Sequence, residues 1–259
     1  MKLHIVPARQ GVLWVKLGIQ TFFRQPLALS GLFFMCAAIL SLFSLVPLVG
    51  GIAASVLLPG ATLGLMAASR EAGEGKFPMP SILLTAFRAA PPQVRAILFL
   101  GVLYSLALAT ILGACALIDG GKFAKFFVLG GPMTAELLQE ADFQSAALAF
   151  TALYLPISML FWHAPALVHW HGIPPVKSLF FSLVACLRNM AAFMVYSVTW
   201  AGVFILMGIL VATIAALTGK VQLAATLMYP AVMILTAVLI TSIYFTFRDN
   251  FETRPGDSA

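Results

Sequence analysis

Residues Ala96–Ile118 read AILFLGVLYSLALATILGACALI, a run without a charged side chain, closed by Arg95 on one side and Asp119 on the other. A helix of this length, rising about 1.5 Å per residue, crosses a hydrocarbon core of about 30 Å. A charge at its centre would cost about 2.5–3.5 kcal/mol even on lenient insertion scales, and the run carries none. Leu27–Val46, Leu48–Ser69, Ala146–Val168, Met190–Leu217 and Val221–Phe247 are equally uncharged. The 15 basic and 9 acidic residues all fall between these stretches or at the chain ends. The pattern predicts an all-α polytopic membrane bundle of six transmembrane helices. It is read as one integral membrane domain over 1–259, with spans near 27–46, 48–69, 96–118, 146–168, 190–217 and 221–247.

A mean hydropathy of +1.01 excludes an ordinary soluble domain. The longest connection, Asp119 to Gln144, is 26 residues, too short for a soluble catalytic domain. The net charge of +6 is spread over several loops, which argues against nucleic acid as a partner. Cys36, Cys115 and Cys186 are odd in number and lack CxxC spacing. They suggest neither a disulfide framework nor a zinc site, and read as small packing residues. Leu27–Val46 is too long for a signal peptide and no small-x-small site ends it, so it reads as a retained span.

Lysine and arginine set the orientation. Lys2, Arg9, Lys16, Arg24, Arg70, Lys76, Arg88, Arg95, Lys177, Arg188, Arg248 and Arg254 fall on one side. Only Lys122, Lys125 and Lys220 fall on the other. Twelve against three places both termini in the cytoplasm of a bacterium, with the protein multi-pass in its inner membrane. Joints near Pro47 and at Gly219-Lys220 are short enough to force antiparallel hairpins.

Three segments on the basic side are amphipathic. In Arg9–Arg24, the residues Arg9, Lys16, Gln20 and Arg24 share one helical face, and Val12, Val15, Ile19, Phe22 and Phe23 the other. Ser81–Arg88 and Val176–Arg188 are shorter versions. A basic face beside an aromatic one suits a helix in the headgroup layer. Arg9, Lys16, Arg24, Arg88, Lys177 and Arg188 are therefore candidate lipid-headgroup contacts. The competing interpretation is a plain elbow that feeds the next span.

The second, fourth and sixth spans each hold an interior proline, Pro59, Pro156 and Pro230, at similar depth. Elbow, plain span and proline-bearing span form a unit that recurs three times, a candidate three-fold hairpin repeat. Each proline frees the carbonyl four residues earlier, on Ser55, Ala152 and Thr226. Three kinks could surround a central cavity, with Pro59, Gly60, Tyr154, Pro156, Tyr229 and Pro230 around it and two tyrosine hydroxyls inside. Gly60-xxx-Gly64 would allow close approach of a neighbouring helix. The competing interpretation is that the kinks only shape packing.

Catalytic and metal-binding patterns are missing. No acid or base lies inside a span, which weighs against a buried proton relay. His163, His169 and His171 are spaced by six and two, so they do not stack on one helical face as ligands would. They read, with Trp162 and Trp170, as an aromatic interface belt. Neither a metal nor another cofactor is expected.

Phe161-Trp162-His163-Ala164-Pro165, Pro174-Pro175-Val176-Lys177-Ser178, Cys186-Leu187-Arg188-Asn189 and the opening Val6-Pro7-Ala8-Arg9-Gln10-Gly11 are similar to an uncharacterised family of six-span proteobacterial inner-membrane proteins. The elbow-plus-hairpin plan more remotely resembles the membrane domain attached to some glycerophosphodiester phosphodiesterases. The catalytic residues of those enzymes lie in a soluble domain and have no counterpart here. The expected function is non-enzymatic, in envelope or membrane-lipid homeostasis, with membrane lipids and other membrane proteins as partners. The alternatives are a transporter or channel for a small neutral or apolar solute, and a small subunit of a respiratory complex.

Overall fold

The computed structural model of the chain describes residues 2–46, 49–130, 134–219 and 221–251. Pro47, Lys220 and Arg254, used above for the joints and the charge count, lie outside them, as does Leu48. Among the described residues eleven α-helices follow one another: α1 Gln10–Arg24, α2 Pro26–Ser44, α3 Val49–Gly73, α4 Pro91–Asp119, α5 Lys122–Leu129, α6 Ala135–Gln139, α7 Ala141–Phe161, α8 Ala164–His171, α9 Pro175–Arg188, α10 Met190–Thr218 and α11 Val221–Phe251. A 3-10 turn, Pro80–Leu84, sits between α3 and α4. No strand occurs among the described residues. Among the described residues six segments are long and apolar enough to cross a membrane: Pro26–Ser44, Val49–Gly73, Pro91–Asp119, Ala141–His171, Met190–Thr218 and Thr226–Phe251. The chain is an all-α polytopic membrane protein, as its apolar runs predict.

Local chemistry sets the boundaries. α4 opens on Pro91-Pro92, where the missing N–H groups need no helical partner, and Ala90 is extended before them (ψ 146°). α10 ends at Gly219, which takes the left-handed conformation (φ 65°) that a side chain would resist. Pro59, Pro156 and Pro230 lie inside α3, α7 and α11. Among the described residues, a short element, a plain span and a proline-bearing span follow in that order three times: α1-α2-α3, the 3-10 turn with α4 and α7, and α9-α10-α11.

Two expectations need correction. Ser81–Arg88 is not an amphipathic α-helix; Pro80 starts a single 3-10 turn, and Ala90, constrained by the proline after it, stops the chain from continuing as helix. The fourth span begins earlier than Ala146 and is interrupted at Trp162-His163, ahead of Pro165 and not at Pro156. The connection from Asp119 to Gln144 carries α5 and α6.

The described residues group into two compact units. One draws on Met1–Ala37, Ala61–Ala86 and Val184–Ala259. There, α1 packs along α10 and α11. The buried side of α1 is Gly11, Trp14, Val15, Gly18, Thr21 and Phe22. At Gly18 the approach is so close that a methyl group would overlap the side chain of Ser242. Lipid gives helices little hydrophobic drive to associate, so backbone approach of this kind supplies much of the packing. The small-residue contact expected of Gly64 is made to the 3-10 turn, where an added Cβ would lie 2.8 Å from Leu83 Cα.

The other unit comprises Ala38–Gly60 and Phe87–Leu183. α4 packs against α7, α5 and α8. Phe123 of α5 brings its ring to Phe143 and Phe150 of α7, at 5.7 and 5.1 Å between centroids. Asp119 caps the start of α5, its carboxylate accepting from the backbone N–H groups of Gly121 and Phe123 at 2.8 and 2.5 Å.

Candidate functional site: an arginine-lined cleft and two three-faced helices

α1 presents three faces where the sequence predicts two. Val15 and Phe22, expected on the lipid side, are buried against the protein. Val12, Leu13 and Phe23 remain exposed, the last by 69%. Arg9, Lys16 and Arg24 are exposed beside them. α9 is built alike. Ser178, Ser182, Ala185 and Cys186 are buried, Val176, Phe180 and Leu187 are exposed, and Lys177 and Arg188 are exposed next to them. Burial pushes the Cys186 thiol up to about 12, which keeps it protonated and suits a packing role. Arg88 is exposed just after the 3-10 turn.

The C-terminal ends of α1, α3 and α11 meet around a cleft of about 310 Å³. Arg24, Arg70 and Arg248 line it with Glu74, and Leu17, Tyr244 and Phe245 form apolar wall. Arg24 donates to the Gly73 carbonyl at 3.3 Å, where a cation suits the helix end. Arg70 and Lys76 pair with Glu74 at 3.4 and 2.7 Å. The hydrogen bond from Lys76, together with its charge and that of Arg70, holds the Glu74 carboxyl below the usual carboxylate range. Arg248 pairs with the buried Asp249 at 3.0 Å and lies over the Phe245 ring, 5.0 Å from its centroid.

Asp249 also ties the start of the chain to its far end. It accepts from Trp14 Nε1 at 2.9 Å and from Gln10 Nε2 at 2.5 Å. Asn189 accepts from the Val6 N–H at 2.8 Å and donates to the His4 carbonyl at 3.0 Å. These bonds fix α1 and the segment before it, and thereby place Arg24.

Of the residues expected around a central cavity, Pro59 and Gly60 are buried, Tyr154 is half-buried, and Pro156, Tyr229 and Pro230 are exposed. The Tyr154 hydroxyl lies 3.1 Å from that of Tyr104. Within the unit that holds both tyrosines, a separate cavity of about 460 Å³ is lined by Leu40, Ser55, Tyr104, Ser105 and Phe127 among others, and by none of those six residues. Ser55 donates to Ser105 Oγ at 2.9 Å. Tyr104 and Ser105 were legible only as isolated hydroxyls within an apolar run. Arg70 and Arg248 were legible only as basic residues near span ends.

The interruption between α7 and α8 is resolved by one side chain. Ser182 Oγ accepts from the His163 N–H at 2.9 Å and donates to the Met159 carbonyl at 2.7 Å. It thus bridges the pair that an unbroken helix would have joined directly.

A probable inner membrane protein of Burkholderia thailandensis is 40% identical over 260 residues, covering 99% of this chain and 96% of that protein. The chain belongs to the family of that inner membrane protein. No family model matches it. No solved structure matches it. The placement of this multi-pass protein in the inner membrane agrees with the six long apolar helices among the described residues.

Proposed function

We propose that this inner membrane protein is a non-enzymatic component of membrane-lipid homeostasis, working through contact of its basic side with anionic lipid on the cytoplasmic leaflet. The observation that carries this reading is the three-faced build of α1 and α9. Each has a buried stripe to anchor it, and exposed bulky apolar residues beside exposed cations. A helix bearing such a pair of outer faces lies stably in a headgroup layer, and each cation near an anionic surface is worth about 1 kcal/mol. Other membrane proteins are natural partners for the same surface.

The test is the lipid that accompanies the purified protein. Changing Arg9, Lys16, Lys177 and Arg188 together to glutamine is expected to lower the ratio of anionic to zwitterionic co-purifying lipid by at least about fivefold. An unchanged ratio would overturn the reading. A second reading, binding or passage of a small neutral or apolar solute, draws on the hydroxyl-bearing cavity at Ser55, Tyr104 and Ser105. Solute uptake into vesicles carrying the protein, with no effect of the four substitutions on lipid content, is the outcome that would favour it.

A further inference from the structure

We propose that the cleft between Arg24, Arg70 and Arg248 is a specific binding site for a phosphate group, supplied by a phospholipid headgroup or by free phosphate. The inference rests on the lipid-contact reading and narrows it from a surface to a site. Three guanidinium-bearing residues and one carboxylate line the cleft. Each guanidinium carries five N–H donors in a planar fork that matches phosphate geometry. Arg24 gives one hydrogen bond to the Gly73 carbonyl, and among the described residues it has no carboxylate partner. Arg248 is held in place by Asp249 and by the Phe245 ring, so less side-chain freedom is lost when an anion arrives. Gln20 and the buried Thr21 add polar groups to the lining. Leu17, Tyr244 and Phe245 offer apolar wall, as an amphiphile requires.

Glu74 is the built-in competitor. It occupies Arg70 and Lys76 in the ligand-free protein. An incoming phosphate would share Arg70 with it, and the Glu74 charge would oppose the ligand.

The experiment places the full-length protein in phosphatidylcholine nanodiscs and follows its thermal unfolding midpoint against added phosphatidic acid or inorganic phosphate. Saturable stabilisation by either probe is expected. Saturation by phosphatidic acid alone assigns the phosphate to a lipid, and saturation by inorganic phosphate assigns it to a soluble source. Arg24→Gln should weaken the half-saturating concentration by about tenfold, because it removes charge-assisted bonds. Glu74→Gln should tighten it severalfold, an effect that a folding defect would not produce. Absence of saturation with both probes, or Arg24→Gln and Glu74→Gln curves that coincide with the parent, would overturn the site. The lipid-contact reading fails separately: the four-residue variant of Arg9, Lys16, Lys177 and Arg188 reports on it and leaves the cleft intact.

Discussion

Ser182 shows how a single hydroxyl lets a membrane helix break. A span interrupted in lipid leaves an N–H and a carbonyl without partners, and each buried orphan costs about 1–3 kcal/mol. Ser182 takes both, from His163 and to Met159. Ser182→Ala should therefore lower the unfolding midpoint by the equivalent of about 1–3 kcal/mol. Ser158→Ala is the comparison, since among the described residues that hydroxyl bonds the Leu155 carbonyl of its own turn; its midpoint should not move. The sequence hinted at the break through Pro165. It could not show which hydroxyl would mend it, because Ser182 lies on another helix, nineteen residues further along.

At the scale of the element, the apolar runs foretold the spans because length and absence of charge are local properties. The faces of α1 were not legible in that way. Trp14 and Thr21 look ambiguous on a helical wheel, and only α10 and α11 decide that they are covered while Val12 and Phe23 are not. Gly11 and Gly18 were the unused clue: two glycines seven residues apart on one face of a helix mark a close neighbour. Gly18→Leu should lower the unfolding midpoint by the equivalent of about 1–3 kcal/mol, as an overpacked contact does. Gly31→Leu on α2, with nothing within 4 Å of its added carbon, should leave the midpoint unchanged. Equal effects of the two would remove Gly18 from the packing argument. The 3-10 turn at Pro80–Leu84 escaped for a related reason, since a few apolar residues at helical spacing do not reveal that flanking prolines will cut the helix short.

At the scale of the whole molecule, the basic residues divide so unevenly that both ends of the chain should report from the cytoplasm. Reporter fusions at residue 1 and at residue 259 are expected to give the same cytoplasmic signature, and opposite signatures would refute the assigned orientation. The arginine cleft belongs to this scale too. Arg24 stood out in the sequence as part of an amphipathic segment, whereas Arg70 and Arg248 were ordinary span-end cations until folding brought three helix ends together. The tie from Gln10 and Trp14 to Asp249 has a consequence for biosynthesis. Gln10 and its partner Asp249 are 239 residues apart. With the ribosome adding about 5–20 residues per second, the earliest helix waits roughly 10–50 s for its last partner to be translated. Until α10 and then α11 have emerged, its tryptophan-bearing stripe lacks full cover on the nascent chain, so a message cut short before those helices yields a product that displays its own incompleteness.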